Sequence, residues 1–253
     1  MDARPVGFFD SGLGGRCILE AFRKMCPAES TVYVADTAHC PYGNRPAAEI
    51  VRLSEANYRM LVRKYDCKMV VVACNTATAA AIDTLRAKHP EMPFIGLEPA
   101  VKPAALRSKT GVVGVLATAG TFSGRLYNET KAKFAKDVTV IAAVADEFVT
   151  IVEELGDTKV GDLKGVRAAR VEAAVRKRIE PLLAAGADHI VLGCTHFPHL
   201  KSVIEKVAAG RAAVLDPSEA VARQARRVLA EKELLSGLTE AAPTHVFIRT
   251  SAL

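Results

Sequence analysis

The alternation of short apolar runs with segments of helical spacing constrains the fold of this chain more than any other feature. The apolar runs lie at residues 5–9, 31–35, 69–73, 93–96, 110–117, 138–144, 188–192, 212–215 and 244–248. Helical spacing occurs at 46–64, 76–89, 121–135, 164–184 and 217–233. Such alternation is typical of βαβ units with a mostly parallel sheet. The sequence therefore predicts an α/β fold.

A weak internal repeat suggests that the α/β pattern occurs twice. The first apolar run leads into Ser11-Gly12, as the run at 110–117 leads into Thr118-Ala119-Gly120. The segment 70–76 is matched in the same order by 190–196. Glycine and proline punctuate the chain near 96–104, where the pattern restarts. We expect two pseudo-symmetric domains, the first formed by residues 1–97 plus about 210–253 and the second by residues 98–209.

Composition excludes several classes of protein. Half of the 253 residues are hydrophobic and a quarter are charged, which is typical of globular domains, and no run approaches a membrane span. The N-terminus lacks a signal-peptide layout, so we expect a cytoplasmic protein without a membrane partner. The six cysteines form no CxxC pair, which argues against disulfides. The net charge of +6 is modest and its cations are spread along helices, so no nucleic-acid partner is expected.

Two of the apolar runs stop at a cysteine that is followed by small polar residues. Cys74 precedes Asn75-Thr76, and Cys194 precedes Thr195-His196. Polar residues after a buried strand lie at its carboxyl end, where open α/β sheets bind ligands. Neighbouring donors and helix N-termini would lower a thiol pKa from about 8.5 and favour the thiolate. We expect this pair to act as acid and base; the alternative, a cysteine that only packs, suits Cys17, Cys26 and Cys67 better.

The glycine-rich turn at residues 10–15 has two interpretations. A dinucleotide fingerprint would need glycine at position 17, which is Cys17, and the P-loop ending is absent. Either Asp10 or Ser11 caps a tight turn between strand and helix, or both face the same crevice as Cys74. The residue types leave these alternatives open.

A metal site is the other alternative that the residues raise. His39 and Cys40, in the segment after the second strand, could join Cys74, Cys194 and His196. Zinc sites usually carry paired ligands at short spacing, and this chain has none, so no metal is expected. His196 could be an ordinary structural histidine, or it could orient or tune the neighbouring thiol.

Five motifs together resemble those of glutamate racemases, within the aspartate/glutamate racemase superfamily. They are Phe-Asp-Ser-Gly-Leu-Gly-Gly at 9–15, Pro-Tyr-Gly at 41–43, Ala-Cys-Asn-Thr-Ala at 73–77, Glu-Pro-Ala-Val at 98–101 and Gly-Cys-Thr-His-Phe-Pro at 193–198. The resemblance implies two flavodoxin-like domains with the active site in the cleft between them, often in a homodimer. It also implies interconversion of L- and D-glutamate without any cofactor, supplying D-glutamate for peptidoglycan.

The resemblance also implies residue roles. Cys74 and Cys194 would be the acid/base thiols, Cys74 acting on D-glutamate and Cys194 on L-glutamate. The residues expected to hold the substrate are Asp10, Ser11, Tyr42, Gly43, Asn75, Thr76, Thr195 and His196. Those expected to tune the thiols are Asp10, Glu153 and His196. Glu153 is assigned because its segment resembles a Val-Glu-Glu-Gly segment of the family. This match is looser than the others, because Leu155 stands before Gly156 here.

The sequence leaves two rival functions open. Aspartate racemases usually continue the second cysteine block with Thr-Glu, whereas this chain has Thr195-His196, which favours glutamate. A non-catalytic, thiol-based protein that binds a ligand or metal on the same fold is the rival from another class. The segment near residue 40 departs from the family, because His39 replaces a common arginine and Cys40 adds a third thiol.

Overall fold

The computed structural model of the chain describes residues 2–237 and 242–251, in which strands and helices alternate. The strands are β1 (Val6–Asp10), β2 (Thr31–Ala35), β3 (Met69–Val72), β4 (Phe94–Ile95), β5 (Val112–Ala117), β6 (Thr139–Val144), β7 (His189–Leu192), β8 (Ala213–Leu215) and β9 (His245–Arg249). The α-helices are α1 (Arg16–Met25), α2 (Ala47–Tyr65), α3 (Asn75–Lys88), α4 (Val101–Arg107), α5 (Ala119–Phe122), α6 (Arg125–Phe134), α7 (Glu147–Leu155), α8 (Gly165–Ala184), α9 (Lys201–Ala208) and α10 (Ser218–Glu231). Short 3₁₀ turns lie at Thr37–His39, Val160–Asp162 and Phe197–Leu200. The predicted α/β fold is confirmed.

The first sheet has the strand order β4-β3-β1-β2-β9, and every neighbouring pair is parallel. Strands β1, β2 and β3 are buried along their whole length, which explains why their sequences are continuously apolar rather than alternating. Helices α1 and α10 pack together and share a core with these strands, including Phe8, Phe22 and Leu229.

The second sheet has the strand order β6-β5-β7-β8 and is also parallel throughout. Its strands therefore follow the order second, first, third, fourth, as β2-β1-β3-β4 do in the first sheet. This is the beginning of the flavodoxin-like order, in which ligands bind where the carboxyl ends of the first and third strands meet. The two sheets thus repeat one topology.

The chain divides into two compact units, Met1–Leu97 with Ser218–Leu253, and Glu98–Pro217. The return to the first unit comes at Ser218, later than the predicted position near 210, because β8 pairs with β7 in the second sheet. That each unit folds as a domain stays a prediction.

The single helix predicted over 121–135 is wrong. The chain forms α5 and α6 instead, separated by Ser123 and Gly124. Gly124 has extended dihedral angles, φ −70° and ψ 141°, which end the helical hydrogen-bond ladder before α6 begins. The segment after His196 begins as a 3₁₀ turn that continues into α9.

Within the part of the chain that the structure describes, no helix combines the length and the apolar character that a membrane crossing needs.

Asp188 fixes the amino-terminal edge of the second sheet. Its carboxylate accepts hydrogen bonds from the Ser108 hydroxyl (2.7 Å), from the amides of Lys109 (2.6 Å) and Thr110 (3.1 Å), and from the His189 ring (2.8 Å). Burial opposes ionisation of this carboxyl, but the four hydrogen bonds outweigh burial and hold the pKa of Asp188 well below its ordinary value. The turn before β5 is thereby tied to the start of β7.

We expect Asp188→Asn to lower the free energy of unfolding at pH 7 by about 1–3 kcal/mol, because it weakens a network built on a charged acceptor. A lowered carboxyl pKa stabilises the fold above the ordinary value of 3.8, and this contribution is lost as the pH falls below that value. Urea unfolding at pH 7 and pH 3 should therefore show a smaller difference between variant and wild type at pH 3. The exposed Asp137, at the same edge, is a suitable control as Asp137→Asn. Equal losses in both variants would contradict the assigned role of Asp188.

Candidate active site

The carboxyl ends of β1 and β3 bring the first predicted thiol beside the glycine-rich turn. The Ala73 amide, directly before Cys74, donates a 2.7 Å hydrogen bond to the carbonyl of Phe9, directly before Asp10. The Cys74 side chain is only 4% exposed, and its Sγ lies 3.8 Å from the Ser11 hydroxyl oxygen. The structure thus places Cys74 and Ser11 in contact, as their motifs predict.

The Asp10 carboxylate holds the turn that follows β1. One oxygen accepts from the Ser11 amide at 2.7 Å and the other accepts from the Gly15 amide at 2.8 Å. A side chain at Gly15 would not fit, because its Cβ would lie 2.8 Å from the Ala73 carbonyl oxygen. Asp10 therefore caps the turn, as one interpretation of the sequence states, and Ser11 lies against Cys74, as the other requires.

The expected lowering of the Cys74 pKa is wrong. Burial, and next the negative charge of Asp10, raise the pKa of Cys74 to about 12. Hydrogen bonds from Ala77 and Ser11 act in the opposite direction but are weaker. At neutral pH, Cys74 is consequently a protonated thiol, suited to donate a proton before it accepts one.

Helix α3 begins directly after Cys74, which occupies its N-cap. The Sγ atom accepts a 3.4 Å hydrogen bond from the Ala77 amide, as a serine or aspartate oxygen does at an ordinary N-cap. Asn75 and Thr76 form the first turn of the helix and are both buried. The side-chain oxygen and nitrogen of Asn75 are buried without any hydrogen-bond partner among the described residues. Buried polar groups are normally paired, so the Asn75 amide is available to a ligand.

In the segment with Tyr42 and Gly43, the groups left to bind a ligand are backbone amides, because the Tyr42 hydroxyl is already hydrogen-bonded. The Tyr42 hydroxyl donates to Asp36 and accepts from the Asn57 amide nitrogen at 3.2 Å. Burial and then the bond to Asp36 raise the pKa of Tyr42 well above its ordinary value. The backbone N–H groups of Tyr42 and Gly43 have no partner among the described residues. These two amides can donate to an anionic group.

The second unit places Cys194 in the position that Cys74 occupies in the first. The Gly193 amide donates a 2.7 Å hydrogen bond to the carbonyl of Leu116, at the end of β5. A Cβ on Gly193 would lie 2.9 Å from that same oxygen, so the close approach requires glycine. Cys194 is 7% exposed, and Thr195 beside it is buried.

Cys194 has an imidazole where Cys74 has none. His196 is 1% exposed, and its Nδ1 lies 3.8 Å from the Cys194 sulfur. Its Nε2 lies 2.6 Å from a carboxylate oxygen of Glu153. Helix α7 carries Glu153 to this point by packing on the turn after His196, where Phe148 and Phe197 meet with ring centroids 5.2 Å apart. Glu153 as acceptor assigns the proton of a neutral His196 to Nε2, which leaves Nδ1 free to accept a proton from the thiol.

Two polar residues at strand ends received no role of their own from the sequence. Asp36 follows β2 as Asp10 follows β1, and it is buried. Thr118, buried after β5, shares a 3.1 Å hydrogen bond with buried Thr121, and the internal repeat aligns it with Ser11. Their place directly after a buried strand was the available signal.

The sequence is similar to known racemases over most of its length. The family model for Asp/Glu/hydantoin racemases matches residues 16–225. The curated glutamate racemase of Herpetosiphon aurantiacus is 44% identical over 239 residues, which cover 94% of this chain and 90% of that protein.

Solved structures show the same likeness. The glutamate racemase of Francisella tularensis in complex with D-glutamate superposes with a TM-score of 0.82 at 28% identity, covering 99% of this chain and 89% of that chain. The Escherichia coli glutamate racemase in complex with L-glutamate and the activator UDP-MurNAc-Ala gives a TM-score of 0.81 at 28% identity, covering 99% of each chain.

Removal of the Asp10 charge tests the cause of the high Cys74 pKa. We expect Asp10→Asn to lower that pKa, so that alkylation of Cys74 by iodoacetamide at pH 8 becomes faster, because only the thiolate reacts. Mass spectrometry of the peptide with Cys74 gives the rate separately from the other thiols. Asp66→Asn is the control, since exposed Asp66 lies at the other end of β3. An unchanged or slower rate in Asp10→Asn, with native circular dichroism, would contradict the electrostatic explanation.

Proposed function

The chain belongs to the Asp/Glu/hydantoin racemase family, and we propose that it interconverts L- and D-glutamate with Cys74 and Cys194 as the two acid/base groups. The relatives named above are glutamate racemases, and two of the solved structures hold D- or L-glutamate. We further propose a cytoplasmic homodimer that supplies D-glutamate for peptidoglycan; the family resemblance supports this.

The observation that carries the proposal is the equivalence of the two thiols. Each follows the third strand of a parallel sheet whose strands have the same order, and each is fixed by a 2.7 Å backbone hydrogen bond to the first strand. Racemisation removes a proton from one face of the α-carbon and adds a proton to the other face. Two thiols of equivalent placement provide one group for each face, provided that both meet the same bound glutamate.

The surroundings of the thiols favour a direction for the first turnover. The Cys194 sulfur lies 3.8 Å from Nδ1 of His196, and Nε2 of the same ring is held by Glu153, so the imidazole is placed to take the thiol proton. The Cys194 thiolate then takes the α-proton of L-glutamate while the Cys74 thiol donates its proton to the opposite face. The Cα–H bond on one face is exchanged for one on the other, and the products are D-glutamate, a Cys194 thiol, a Cys74 thiolate and the proton that His196 took from Cys194. D-glutamate reverses the step with the thiols in exchanged roles.

Fixed hydrogen-bond donors must stabilise the negative charge that develops beside the α-carboxylate. The unpartnered amide of Asn75 and the backbone N–H groups of Tyr42 and Gly43 support a role in holding substrate carboxylates. We assign Ser11, Thr76 and Thr195 to substrate binding as well, because Ser11 is buried against the Cys74 sulfur and the two threonines are buried close to the thiols in sequence. Asp10, Glu153 and His196 are assigned to tuning the thiols, since Asp10 raises the Cys74 pKa and His196 contacts Cys194 and Glu153.

Serine substitution of either thiol tests the assignment of two acid/base groups. We expect Cys74→Ser and Cys194→Ser each to lose about 10²- to 10⁴-fold in kcat for inversion, because a serine hydroxyl is a far weaker acid and base than a thiol. Optical rotation with L- and D-glutamate measures inversion in both directions. Cys17→Ser is the matched control, because Cys17 is partly exposed and its Sγ donates to the Gly14 carbonyl, a bond that serine can keep. Near-normal turnover in either active-site variant would contradict the assignment.

Deuterium incorporation distinguishes the proposal from its rivals. In deuterated water without added cofactor, NMR should show loss of the α-proton of L- and D-glutamate, with aspartate unchanged. Exchange on aspartate alone would make the chain an aspartate racemase. Absence of α-proton exchange on every amino acid tested would instead favour a non-catalytic protein that binds a ligand or metal on this fold.

Asn75 provides a test that separates binding from stability. We expect Asn75→Ala to raise KM for glutamate about tenfold, because a buried donor to a carboxylate is lost. The free energy of unfolding should stay the same or rise, because the variant removes an unpaired buried amide and alanine favours a helix. Steady-state kinetics and urea unfolding measure the two effects. A clear loss of stability with unchanged KM would show that the amide serves the fold.

A further inference from the structure

The buried Asp36 carboxylate joins three parts of the first unit. It follows β2, and one of its oxygens accepts hydrogen bonds from the His39 ring and the Thr250 hydroxyl, each at 2.8 Å. The other oxygen accepts from the Tyr42 hydroxyl, which Asn57 of α2 also contacts. A carboxylate with several side-chain donors holds them strongly, because charged hydrogen bonds are the strong ones.

Thr250, directly after β9, binds the same segment through main chain and side chain. Its hydroxyl accepts from the Ala38 amide at 3.0 Å while donating to Asp36, and its carbonyl accepts from the Thr37 hydroxyl. Its own amide donates to the Ala35 carbonyl at 3.0 Å. The final strand of the first sheet is thereby fastened to the 3₁₀ turn Thr37–His39.

We propose that Asp36 and Thr250 are positioning residues, which set the backbone N–H groups of Tyr42 and Gly43 at the correct distance from a substrate carboxylate. The inference rests on the proposed function. Strand β9, which Thr250 follows, then contributes to substrate binding.

The chemistry of the segment explains why its position matters. The Tyr42 phenol is already engaged by Asp36 and Asn57, so the donors left for a ligand are backbone amides. A backbone amide cannot adjust through a side-chain rotamer, so the hydrogen-bond distance depends on where the segment is anchored. Hydrogen bonds weaken steeply outside a narrow range of distance and angle, so a displaced segment would hold a substrate carboxylate less tightly.

Variants of Thr250 test this inference with little risk to the fold. We expect Thr250→Val to raise KM for glutamate about tenfold and to change kcat by less than about threefold, because the thiols keep their surroundings. Thr250→Ser retains the hydroxyl and should restore the wild-type KM. Thr244→Val is the matched control, because exposed Thr244 lies at the opposite end of β9. Asp36→Asn, which removes the charged acceptor itself, should raise KM at least as much as Thr250→Val.

Hydrogen exchange gives a second readout that is independent of activity. Peptides covering residues 37–45 should exchange faster in Thr250→Val than in wild type or Thr244→Val, while peptides of β1 and β3 stay unchanged. A wild-type KM in Thr250→Val, or an equal rise in Thr250→Val and Thr244→Val, would overturn the inference alone. A wild-type chain without exchange or inversion on glutamate would contradict the proposed function and, with it, this inference.

Discussion

One backbone hydrogen bond, made once in each sheet, fixes where the chemistry can occur. The amide before each cysteine donates to the carbonyl before the last residue of the neighbouring first strand, over 2.7 Å in both cases. Ala73 and Gly193 are the donors, and Phe9 and Leu116 are the acceptors. Because parallel pairing aligns the carboxyl ends of first and third strands, each thiol lies beside the turn after the first strand. The glycine-rich turn, helix α3 and the 3₁₀ turn after His196 are all built around these two positions.

The candidate binding groups follow from what the fold leaves unpaired. The Asp10 carboxylate holds the turn through two amides and the Tyr42 hydroxyl is engaged by Asp36, so neither supplies a free donor for a substrate carboxylate. Among the described residues that follow β2 and β3, the Asn75 side chain and the backbone amides of Tyr42 and Gly43 are unpartnered. Leaving buried polar groups unpaired weakens a fold, and natural proteins accept such weakness chiefly at functional sites. The location of these groups is therefore more informative than their residue types.

The local sequence pattern was sufficient to predict most strands and helices, and the positions of the two thiols at strand ends. Each predicted apolar run became a strand within one or two residues. The match has a clear cause in β1, β2 and β3, because a strand buried on both faces must be continuously apolar. The interruption at Gly124 escaped prediction, since one extended glycine does not disturb the helical spacing around it. The contact of Glu153 with His196 depends on how α7 packs, which no local pattern contains. The Cys74 pKa was assigned the wrong direction, because the sequence suggested donors near the sulfur but not complete burial beside Asp10.

The differences between the two thiols matter as much as their equivalence. A duplicated fold supplies two matching positions, but two thiols in identical surroundings would share one protonation state. A racemase must start each turnover with one base and one acid. Asp10 beside Cys74 has Ala117 as its counterpart beside Cys194, and Thr76 has His196 as its counterpart. The negative charge of Asp10 lies beside Cys74 and the imidazole of His196 lies beside Cys194, so divergence at two positions gives the two thiols of a repeated scaffold different surroundings.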